Sequence, residues 1–120
     1  MSETSRPSRG NSRPLADARH SAPIFAALGD ETRLRLVFRL CDGGPMSIAR
    51  LAAGSKITRQ AITKHLRVME EAGLVRGSRH GRESVWQLKQ GGLEEARRYL
   101  DLISKQWDNA LGRLRKFVED

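Results

Sequence analysis

The chain has 120 residues with a formal net charge of +8 and a sequence pI of about 10.8. That length allows one domain, or one domain with a tail, and the charge favours a polyanionic partner over an acidic or neutral one. Cys41 is the only cysteine, which excludes an intrachain disulfide framework and is consistent with a reducing cytoplasm. The first residues contain no apolar run of the signal-peptide type, and no segment has the length and apolarity of a membrane span, so no membrane partner is expected.

Residues 1–18 are rich in Ser, Arg, Pro, Gly and Asn. This composition predicts a disordered basic arm, whose Arg6, Arg9 and Arg13, with Arg19 just beyond, are either phosphate contacts or simply solvated charges. A helix-rich domain is expected over 19–91. It opens with a short helix from Ser21 to Leu28, with Ser21 as cap and Pro23 in the first turn. Gly29 ends that helix and Asp30 caps a second one, Glu31 to about Cys41. Leu34, Val37, Phe38 and Cys41 repeat at helical spacing and are expected on its inner face, with Cys41 as a small buried apolar residue.

Gly43-Gly44-Pro45 ends the second helix, and Met46 is extended. Ser47 is placed to cap a third helix, Ile48–Ala53, which Gly54 closes. Thr58 is placed to cap a fourth helix running to about Ala72. Two helices joined by a short turn make a helix-turn-helix.

The fourth helix is the most informative segment. Ile62, Leu66 and Met69 recur at core-facing spacing, while Gln60, Thr63, Lys64 and Arg67 fall on the other side. Such side chains pair with base edges or neutralise phosphates, Gln60 suiting adenine and Lys64 guanine or phosphate. Thr58 and Arg59 sit at the helix start, where a recognition helix enters the major groove. A solvated polar face is the plain alternative. His65 projects nearer the apolar side and is expected to be a structural, hydrogen-bonded histidine.

Leu74–Ser78 and Glu83–Leu88 read as two strands, with Arg79-His80-Gly81-Arg82 as the turn. Arg79 and Arg82, with Arg76 at the base, can enter a minor groove or hold its phosphates. Residues 56–89 carry eight Lys/Arg against three Asp/Glu, so five of the eight excess charges lie there, whereas residues 92–120 carry six of each.

Residues 92–120 are expected to form one long dimerisation helix. Leu93, Ala96, Leu100, Ile103, Trp107, Ala110, Leu114 and Phe117 alternate spacings of three and four, an a/d heptad stripe. Packing against the first helix and against a second subunit are both expected. In the dimer, Leu93, Leu100, Ile103, Trp107 and Leu114 form the seam.

Three blocks then carry a family resemblance: Phe25–Leu40, Thr58–Val75 and Gly81–Leu88. Together they resemble the ArsR family of bacterial winged-helix transcription regulators, from about Ala22 to Val118. The resemblance implies an α+β, mostly helical winged helix-turn-helix. It implies a symmetric homodimer joined through the first and last helices, and operator binding through Thr58–Arg67 and the wing, with repression as the expected outcome.

Metal-sensing members of that family carry a Cys-x-Cys pair on the third helix, where this chain has Ser47-Ile48-Ala49-Arg50-Leu51-Ala52-Ala53. Others place His and Asp along the last helix, and residues 92–120 contain no His. Cys41, His20, His65 and His80 lack convergent ligand spacing, so no metal site and no cofactor are expected. The ending Gln106–Glu119 resembles a metal-free subgroup whose members are often encoded beside small lipid- or ligand-binding proteins. No effector follows from that. No nucleophile–base pair or phosphate-binding glycine loop is present, so no enzyme is expected. A metal- or redox-responsive sensor and a non-specific architectural binder remain the competing readings.

Overall fold

The structure is a computed structural model that describes residues 18–119; the basic arm lies almost wholly outside the described residues. The elements, in order, are helix α1 (18–28), α2 (Glu31–Gly43), strand β1 (Met46–Ser47), α3 (Ile48–Ala52), α4 (Arg59–Glu71), β2 (Val75–His80), β3 (Glu83–Leu88) and α5 (Glu94–Glu119). The helices therefore dominate, with one small antiparallel sheet of order β1-β3-β2.

Three of the helices start where a side-chain oxygen is available to the first free amides. Asp30 accepts from Arg33 N at 3.0 Å, Ser47 from Arg50 N at 3.2 Å and Thr58 from Ala61 N at 3.1 Å. Ser21 is a correction. The helix already includes residues 18–20, and Ser21 lies buried inside it rather than capping it. The physical reason is the repeat of Ser21, Ile24 and Ala27, which brings Ser21 round to the core side.

A single apolar cluster holds the body together. Ile24 and Ala27 of α1, Leu36, Val37 and Leu40 of α2, Leu51 of α3, Ile62, Leu66 and Met69 of α4, Val75 and Trp86 of the hairpin and Ala96 of α5 all contribute. On α2 the inner face differs from the expected one. Leu36, Val37 and Leu40 are buried, whereas Leu34 and Phe38 stay 50% and 72% exposed and Cys41 is exposed. Val37 belongs to both possible stripes, 34-37-38-41 and 36-37-40, so helical spacing alone does not choose between them.

The hairpin is tighter than the sequence suggests. Arg79 and His80 are strand residues paired with Ser84 and Glu83, and only Gly81 and Arg82 turn. Gly81 has φ +65°, which a two-residue turn with glycine at its first central position requires. Helix α5 begins at Glu94, buries Ala96, and then projects beyond the body, with every residue from 100 to 119 exposed. Within this chain the expected packing of α5 on the body is confined to its first turns.

Candidate nucleic-acid interface

Helix α4 turns Ile62, Leu66 and Met69 into the core and leaves Gln60, Lys64 and Arg67 on the exposed side. The separation follows from 100° per residue: the three apolar positions cluster on one arc, and 60, 64 and 67 fall near its opposite. Thr63 is half-buried, and its hydroxyl donates to the Arg59 carbonyl at 2.9 Å. Its oxygen then offers only lone pairs outward, so Thr63 can accept from a base or water but not donate while that bond persists. The Thr58 oxygen accepts from Ala61 N, which leaves its proton free for a phosphate oxygen.

The start of α4 and the turn of the hairpin converge. Arg59 and Arg82 line one cleft of about 290 Å³, together with Ser47, Ser84 and Glu83. This notch lies between the helix-turn-helix and the wing. Arg79 is exposed on β2 and Arg76 lies nearer its base, also exposed. The structure thus brings Arg59 and Arg82 together and sets Gln60, Lys64 and Arg67 along the neighbouring exposed ridge.

Bonds to residues outside the helix brace α4 and the neighbouring α3. Arg39 of α2 donates to the Leu51 and Arg50 carbonyls at 2.8 and 3.3 Å, filling acceptors at the end of α3. Gly77 N of β2 donates to the Glu70 carboxylate at 3.4 Å, a link between α4 and the wing. His65 sits at the edge of the core, its side chain 25% exposed, and accepts from Arg33 of α2 at 3.1 Å. That agrees with a structural, hydrogen-bonded role. Its partner is 32 residues away in sequence, so no local pattern identifies it. The carboxyl of Asp30 is held below its ordinary range, first by the Arg33 backbone amide and then by the nearby Arg33 guanidinium.

The seam residues expected for a dimer lie in the open. Leu93, Leu100, Ile103, Trp107 and Leu114 are all exposed, with Trp107 at 65% and Phe117 at 81%. Tyr99, Leu102, Ile103, Gln106, Trp107 and Ala110 line a shallow apolar groove along α5. Among the described residues no group of three or more His, Cys, Asp or Glu side chains is placed to hold a metal ion. No described helix is long and apolar enough to cross a membrane.

A helix-turn-helix whose fourth helix exposes polar side chains beside a basic two-stranded hairpin defines the winged helix-turn-helix class of DNA-binding proteins. A helix-turn-helix domain model matches residues 28–78. The chain is 38% identical over 87 residues to the HTH-type transcriptional regulator Rv2034 of Mycobacterium tuberculosis, spanning 72% of this chain and 78% of that one. The solved ArsR-like transcriptional regulator from Rhodococcus sp. RHA1 superposes with a TM-score of 0.68 at 33% identity, covering 82% of this chain and 92% of that one. A homodimeric winged helix-turn-helix domain from Mycobacterium bovis shares the fold, with a TM-score of 0.59 at 22% identity and coverage of 80% and 85%. The chain belongs to the ArsR family of transcriptional regulators, and DNA is its partner.

Proposed function

We propose that this protein is a homodimeric repressor that reads a two-fold operator in the bacterial cytoplasm. Gln60 and Lys64 contact base edges in the major groove, flanked by Thr58, Arg59, Thr63 and Arg67. Arg79 and Arg82 of the wing hold the adjacent backbone. The observation that carries this reading is the convergence of Arg59 and Arg82 on one cleft beside the exposed ridge of α4. Phosphate contacts there fix register, and the ridge supplies the sequence-dependent contacts.

Dimerisation follows from α5. Its apolar stripe has no cover among the described residues, and the Mycobacterium bovis domain of the same fold is homodimeric. Two half-sites about 34 Å apart need two recognition helices at fixed spacing, which a shared α5 seam provides. A dimer seated on an operator that overlaps a promoter represses by occlusion.

The test is selection of duplexes from a random library by the full-length protein, followed by titration of the selected and a random duplex. Gln60→Ala and Lys64→Ala should each weaken the selected duplex by about 1–3 kcal/mol and leave the random one nearly unchanged. Equal affinity of the unaltered protein for both duplexes would point to a non-specific architectural binder instead.

A further inference from the structure

The junction behind the recognition helix has chemistry that DNA reading does not use. The Nε of Arg33 donates to the Ala27 carbonyl at 2.6 Å, in the last turn of α1. One of its terminal nitrogens, Nη1, reaches the Nδ1 of His65 at 3.1 Å. The carboxylate of Asp30 accepts from the backbone amide of Arg33 and lies 4.0 Å from the same Nδ1. One imidazole nitrogen therefore faces a guanidinium and a carboxylate at once.

A guanidinium has donors and no acceptor. The Arg33–His65 contact is a hydrogen bond only while Nδ1 keeps its lone pair, which places the single proton of a neutral ring on Nε2. A protonated ring has no acceptor to offer and sets like charges at hydrogen-bond distance. Asp30 is then the nearby carboxylate able to receive the Nδ1 proton.

We propose that Arg33 and His65 form a positioning pair for the recognition helix, and that a proton on His65 moves its bond from Arg33 to Asp30. This extends the DNA-binding reading above. Arg33 ties the last turn of α1 to α4, and α1 shares its core cluster with Ala96 at the root of α5. The pair thus joins the last turn of α1 to the helix that reads DNA. The carboxyl of Asp30 is held below its usual range by the Arg33 backbone amide, which favours the ionised acceptor. Histidine is the side chain whose charge ordinarily changes between about pH 5 and 8.

The experiment uses the full chain and needs two readouts. The first is the ratio of affinities for a library-selected and a random duplex, at about pH 7.5 and about pH 5.5. The second is amide hydrogen exchange of residues 59–71 in the free protein, corrected for intrinsic rates. The unaltered protein should lose about fivefold or more in selectivity at the lower pH. Its α4 amides should lose protection over the same range. His65→Gln keeps an acceptor for Arg33 but takes no proton, and should be flat in both readouts. A pH response in His65→Gln equal to that of the unaltered protein overturns the proposal, as does an unaltered protein flat in both readouts. If the library yields no preferred duplex, sequence-specific reading fails on its own, and exchange at 59–71 still decides the pair.

Discussion

The winged body and helix α5 contain similar apolar side chains used in opposite ways. In the body, Leu66 and Met69 are fully enclosed by α2, α3 and the hairpin. On α5, Leu100, Ile103, Trp107 and Leu114 repeat just as regularly but stand in solvent. A contiguous apolar stripe of this kind is rare on a monomeric surface and marks a contact with another molecule. The difference teaches that periodicity records which side of a helix is apolar, whereas the number of other elements within reach decides whether that side closes within the chain. The body and α5 should therefore respond differently to substitution: one loses its fold and the other its partner.

The largest expected effect is on α5. Ile103→Asp places an unpaired carboxylate in the proposed seam, at a cost of about 3–5 kcal/mol in association. Sedimentation should show a dimer for the unaltered protein and a monomer for the variant, with helical circular dichroism largely kept and binding to the selected duplex lost. An unaltered protein that stays monomeric at micromolar concentration yet binds that duplex tightly would break the comparison.

In the body, Leu66→Ala removes a side chain with no exposed surface and should cost about 2–5 kcal/mol of folding stability. Its melting temperature should fall at every protein concentration. By contrast, a change in the α5 stripe should act through a concentration-dependent melting temperature. If Leu66→Ala behaved in the concentration-dependent way, the two regions would not be separable.

The smallest effect sharpens the body's own division between ridge and wing. Arg82→Ala or Arg79→Ala should weaken selected and random duplexes alike. The slope of log affinity against log salt should flatten by about 0.9 for each lost phosphate contact. A loss confined to the selected duplex would instead assign base or groove-shape reading to the wing.

Much of this fold was legible because its signals are local. The caps at Asp30, Ser47 and Thr58 act over three residues, and the Ile62, Leu66, Met69 stripe needs only the helical repeat. The errors arose where local signals were degenerate or outweighed. Ser21 carries a cap's chemistry but is surrounded by helix. Phe38 and Cys41 share a helical stripe with Val37, and α2 turned a neighbouring stripe inward. The extra pairing of Arg79 and His80 came from the tight Gly81–Arg82 turn, which pulled both residues into the ladder.

The sequence by itself determined the helix-turn-helix, the polar ridge of α4, the hairpin and the α5 stripe, since each depends on residues at most a few turns apart. Only the tertiary structure decided the face of α2 that is buried, the shared cleft of Arg59 and Arg82, and the Asp30–Arg33–His65 junction. Those depend on the packing of elements distant along the chain. The burial of one helix side, the meeting of two charges and the partner of one imidazole are set by three-dimensional proximity, which spacing along the chain does not encode.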